Sequence, residues 1–168
     1  MVGLCGEQGP TEEQAGEREK LVKCIERAGC KQHLSREKAL SEISAIVEHD
    51  VSVSVKNSES EASTMVSEGL ELLQVESRAM MGQSEEWERR LGGLRLANIL
   101  VQKGGASSVY MLCLLEDCLG LLEDGEVRVR WAVGELLGEL SKVLGVAVWD
   151  VTGERILESI ERNYVSLV

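Results

Sequence analysis

Residues 119–140 read LGLLEDGEVRVRWAVGELLGEL. An apolar helix end (Leu119, Leu121, Leu122) runs into Asp124 and a short turn. Val129-Arg130 then leads into Ala132, Val133, Leu136, Leu137 and Gly138. The stripe Val129, Ala132, Val133, Leu136, Leu140 repeats every three or four residues, the period of a helix with one buried face. The stretch therefore predicts two packed helices joined by a tight turn.

Working outward, the same grammar recurs. The third helix pair is expected at 107–123 and 126–144, with a last helix opening near Thr152 and burying Ile156, Leu157, Ile160 and Tyr164. Upstream, a helix over 64–81 presents Met65, Leu70, Leu72, Leu73, Val75 and Met80. Gly82-Gln83-Ser84 then turns the chain, with Ser84 as N-cap. The partner helix stops at Gly104-Gly105, a C-terminal signal. Near the start, Thr11-Glu12-Glu13-Gln14 forms a capping box ahead of Leu21, Val22, Cys24, Ile25 and Ala28. That helix ends near Gly29, and Ser35 opens a second one that buries Ala39, Leu40, Ile43, Ile46 and Val47. The segment 50–63 reads as an exposed loop. Val51, Val53 and Val55 alternate with polar residues, but a lone strand has no partner.

Overlaid at a spacing of 40, Glu86 falls on Glu126, Trp87 on Val127, Arg90 on Arg130, Leu96 on Leu136, and Leu100 on Leu140. Periods of this size mark helical-repeat solenoids. The order Asp124, Val129-Arg130, small residues and Leu137-Gly138 resembles the second half of a HEAT repeat. The resemblance implies an all-α fold: a short right-handed solenoid of antiparallel helix pairs, HEAT- or armadillo-like, about three pairs plus a C-terminal helix. Residues 1–10 would be a flexible N-terminus and 11–168 one domain. It also implies structural roles, with Asp124 capping the second helix of its pair and Arg130 pairing with acids between successive repeats. Arg90 matches the Arg, and Ser84 stands where the earlier Asp would be, which breaks the ladder.

Composition bounds the function. The 168 residues suffice for one cored domain, and a net charge of -11, denser after Gly104, repels a nucleic-acid backbone. Such acidity serves solubility or a basic partner. The five cysteines, Cys5, Cys24, Cys30, Cys113 and Cys118, are odd in number and lack a CxxC pair, so they read as reduced thiols of the cytoplasm or nucleus. The longest apolar run, 109–115, is too short to span a bilayer.

Catalytic and metal chemistry finds no constellation. His33 and His49 stand apart, and Glu48-His49-Asp50 reads as an exposed helix end. Cys113 and Cys118 read as buried thiols. Gly92-Gly93, Gly134 and Gly138 lie inside helices, each costing roughly 1 kcal/mol against Ala, and close approach of neighbouring helices is the expected return. No glycine sits in a phosphate-cradling pattern, so no cofactor is expected.

Binding residues are expected at the C-terminal end. Trp131 shares a helix face with Arg128, Glu135 and Lys142, outside the buried stripe, and an exposed Trp ringed by charge anchors interfaces. The competing expectation packs Trp131 on the final helix, with Trp87 and Trp149 in the core or at caps. Trp149, Tyr164 and Leu167 complete the candidate surface for a protein partner or for self-association, and Ser166-Leu167-Val168 fits a PDZ-type carboxylate motif. The expected function is a non-catalytic adaptor or scaffold module that holds another protein. The alternative is a structural subunit or assembly factor docking into a larger helical-repeat complex.

Overall fold

The computed structural model describes residues 12–56, 61–82 and 85–165. Among these are seven helices: α1 (Glu12–Ala28), α2 (His33–Lys56), α3 (Glu61–Gly82), α4 (Trp87–Lys103), α5 (Ser108–Leu121), α6 (Val127–Leu144) and α7 (Ala147–Val165). No strand occurs among the described residues.

Helices pack on near neighbours in the chain. α1 pairs with α2, α3 with α4 and α5 with α6. One layer then runs α1, α3, α5, α7 and a second runs α2, α4, α6, each member against the next. The core lies between these layers and includes Cys24, Ala28, Ile43, Val47, Leu73, Leu94, Leu96, Leu100, Leu114, Leu136 and Leu140, all fully buried. Leu96 and Leu136, and Leu100 and Leu140, hold the same register in their helices and are equally inaccessible.

Two glycines set how tightly α4 sits. A Cβ on Gly92 would lie 2.2 Å from the Ala28 carbonyl oxygen, and one on Gly93 would lie 2.6 Å from that of Ser77. Their missing side chains let α4 approach the end of α1 and the flank of α3 closely. Gly134 and Gly138 do not act this way: a Cβ at either meets nothing within 4 Å. Their expected helix contact is absent among the described residues, where no further element covers that side of α6.

Several boundaries differ from expectation. Most of 50–63 is helix, since α2 continues to Lys56 and α3 begins at Glu61; residues 57–60 lie outside the described ones. Val51 extends the Ile43–Val47 stripe by one further turn and packs against the core, and Ser52 bonds back to the Glu48 carbonyl at 2.7 Å. Helical burial thus outweighs an alternation of only three valines. α2 opens at His33, two residues before Ser35. α4 opens at Trp87 with Glu86 as N-cap, and Ser84 and Thr11 lie outside the described residues.

α7 starts at Ala147, because Gly145 (φ 68°) ends α6 and a two-residue turn suffices to reverse the chain. Thr152 is buried inside α7 and bonds the Val148 carbonyl at 2.6 Å. The face of α7 is shifted accordingly. Val148, Thr152 and Ser159 are buried, Ile156 packs partly on the core, and Leu157 and Ile160 are exposed. Val22 and Val75, assigned to inward stripes, are also exposed, as is Leu112 of α5. Gly104 (φ 77°) ends α4 as expected, its amide returning to the Leu100 and Val101 carbonyls.

Candidate functional site: the C-terminal end of the helical stack

The turn before α6 is built around Asp124. Its carboxylate accepts two bonds from Arg90 of α4, Nε to Oδ2 at 2.6 Å and Nη2 to Oδ1 at 2.9 Å, and a third from the Glu126 amide at 2.9 Å. The Asp124 side chain is 5% exposed and that of Arg90 17%. Burial alone pushes the Asp124 carboxyl upward. The Arg90 and Glu126 hydrogen bonds, with the charges of Arg90 and Arg130, outweigh it and hold the group below its usual range. Glu126, not Asp124, is the N-cap of α6, accepting from the Arg128 amide. Asp124 instead fastens the turn to α4. Arg130 does not reach another acid among the described residues; its Nη1 donates to the carbonyls of Asp124 and Gly125. Val129 is fully buried beside it.

Arg36 was not legible as a counterpart. It is the fourth residue of α2, as Arg90 is of α4 and Arg130 of α6. Its Nη1 donates to the carbonyl six residues back, that of Cys30, at 2.9 Å, as Arg130 does to Asp124. Placing the start of α2 at Ser35 hid this shared register. Arg36 is 3% exposed, and its Nε has no partner among the described residues.

The outer side of α6 carries the candidate binding residues. Trp131 is 74% exposed, so the expectation that it packs on the final helix fails. Trp149, expected in the core or at a cap, is 52% exposed. Trp87 is half-buried against the core, with the Arg128 guanidinium 5.0 Å from its ring centroid, a cation–π contact joining α4 to α6. Arg128 and Glu135 are both exposed on α6. Nothing is described of the Tyr164 side chain, and Leu167 lies outside the described residues with Ser166 and Val168.

Titratable groups elsewhere stay dispersed. His33 lies 3.8 Å from Glu37 and His49 3.4 Å from Asp50, both rings mostly exposed. Sixteen residues of α2 separate the two rings' positions, about 24 Å along the axis. No group of three His, Cys, Asp or Glu suited to a metal occurs among the described residues. An open groove of about 540 Å³ between α1 and α2 is lined by Glu19, Lys20, Lys23, Glu26, Arg27 and Glu42, without histidine. Cys118 is buried and its thiol pushed up to about 12, chiefly by desolvation, whereas Cys113 is only half-buried. Burial, reinforced by Glu42, also raises the Cys24 thiol. No helix of the described residues is long and apolar enough to cross a membrane. No family model, curated protein or solved structure matches the chain.

Proposed function

We propose that this chain is a non-catalytic adaptor or scaffold module, a short right-handed α-solenoid of the HEAT/armadillo type that holds another protein on its C-terminal end. The observation that carries the reading is the ion pair of Arg90 with Asp124. It links the second helix of one pair to the turn of the next, while packing within each layer runs from each helix to the next in that layer. A stack built this way has two open ends rather than one closed core. At the C-terminal end Trp131 stands free on α6, the kind of rigid aromatic that dominates interface energetics. Docking of that end onto further repeats of a larger complex is the second reading, supported by the uncovered side of α6.

The test is affinity capture with the tagged chain, followed by reconstitution with the purified partner. Trp131→Asp should weaken the complex by about thirtyfold, as for a central aromatic anchor. Catalytic turnover by the purified chain, or a partner bound equally well by Trp131→Asp, would overturn the reading.

A further inference from the structure

The outer side of α6 is best understood through α4. On α4, Trp87, Leu91, Leu94, Asn98 and Val101 lie in one stripe, spaced four and three residues apart in alternation. Leu91, Leu94 and Val101 are at most 5% exposed. α6 lies along this side: Arg128 stacks on Trp87, and Arg90 pairs with Asp124 in the turn that opens α6. At the same register α6 presents Val127, Trp131, Gly134, Gly138 and Ser141. Here Val127 and Trp131 are 49% and 74% exposed, and a Cβ on Gly134 or Gly138 meets open space. The interface between α4 and α6 therefore continues onto an uncovered seam.

That seam is self-complementary. Its first half carries the two large residues and its second half the two glycines. If two α6 helices lie antiparallel about a two-fold axis between Ala132 and Val133, each Trp131 falls on the other's Gly134 and each Val127 on the other's Gly138. In the same register each exposed Glu135, which meets no cation among the described residues, comes beside the other's Arg128. A face that offers knob, hole and both charges to itself meets the requirement of an isologous contact. The opposite end is a poorer match for head-to-tail stacking: α2 exposes Leu34, Lys38, Ser41, Ala45, Glu48 and His49 there, and it has no glycine to admit Trp131.

We infer that the occupant of the α6 seam is a second copy of this chain, in an antiparallel two-fold dimer. This deepens the reading of the C-terminal end as a protein interface by naming the partner, and it rests on that reading. It also gives Gly134 and Gly138 a role: they admit the partner's Val127 and Trp131 where any side chain would hold the helices apart.

Sedimentation velocity on the full chain over a concentration series tests this. The runs are made near physiological ionic strength, where a Debye length of about 8 Å screens the repulsion of two acidic copies. Wild type should pass from monomer to dimer as concentration rises. Gly134→Gln/Gly138→Gln should remain monomeric with unchanged circular dichroism, since Gln is a better helix former than Gly. Arg128→Glu and Glu135→Arg should each weaken the dimer at least about tenfold by opposing like charges, and the two together should restore it.

Wild type that is monomeric up to its solubility limit overturns the inference. So does a dimer indifferent to the glutamines, or one that the double charge swap fails to rescue. A monomeric chain that still loses a purified partner upon Trp131→Asp overturns only the second-copy inference and leaves the protein-binding reading standing.

Discussion

Replacing Asp124 by alanine should be among the most destabilising single changes at the surface end of the stack. The carboxylate is 5% exposed and accepts three hydrogen bonds, two of them from Arg90. Loss of a cap-type bond to a turn amide alone costs about 0.5–2 kcal/mol. The larger part comes from Arg90, whose guanidinium is 17% exposed and would lose its bidentate carboxylate. Breaking a buried pair from one side costs about 3–5 kcal/mol. With some solvent access to Arg90, a total of about 3 kcal/mol is expected, or a fall in Tm of roughly 6–12 °C for a chain of this size. Urea unfolding followed by circular dichroism at pH 7 measures it, and Arg90→Met/Asp124→Leu should recover most of the loss by removing both charges together. The pH dependence has a defined sign. The folded-state pKa of Asp124 is lowered, so its contribution is fully present above the unfolded value and disappears as pH falls through the folded one. The Asp124→Ala penalty should therefore shrink on acidification below about pH 4. A penalty within about 0.5 kcal/mol of zero at pH 7, the range of an ordinary surface change, would refute the reasoning.

Other outcomes follow from the same packing. Gly92→Ala should destabilise well beyond the usual helix gain, since its Cβ would meet the Ala28 carbonyl at 2.2 Å; thermal melts check this. Gly138→Ala, with open space around it, should instead raise stability by about 1 kcal/mol in the monomer. Tyr110→Phe removes the 2.6 Å bond to Ser77 between α3 and α5 and should cost about 1 kcal/mol in urea unfolding. Iodoacetamide near neutral pH should spare Cys118, buried with its thiol raised to about 12, until the chain unfolds; mass spectrometry of the labelled peptides reads this.

The helices were legible wherever glycine and burial agreed. Gly104 ends α4 as the sequence indicated, and α5 opens one residue after the expected Ser107, which caps it by accepting from the Tyr110 amide at 3.2 Å. The α6 stripe is buried residue for residue. The run 50–56 was not legible as helix, because Val51, Val53 and Val55 mimic a strand until Val51 is seen to pack against the core. The start of α7 was hidden because Thr152 looks like a cap while its hydroxyl in fact serves a carbonyl inside the helix. At the candidate site, the sequence placed Trp131 outside the buried stripe but left open whether the final helix covers it, which depends on where α7 packs. The partner of Arg90 could not be fixed by the repeat alone, since a pair 34 residues apart depends on how α4 and α6 cross. The open space at Gly134 and Gly138 likewise depends on which neighbours exist, which periodicity along one helix does not encode.

The claim beneath the functional reading is that the helices stack in sequence and leave α6 as an open end. Methyl–methyl nuclear Overhauser spectroscopy on the full chain, at a concentration where it is monomeric, tests that most directly. Methyls of α4 should show cross-peaks to both α2 and α6, the neighbours on its two sides. Ile43 and Val47 of α2 should show none to Val133 or Leu136 of α6, since two helix spacings, about 16–20 Å, separate those axes. Strong cross-peaks between α2 and α6 would mean a closed bundle, and would contradict both the open end and the interface placed on it.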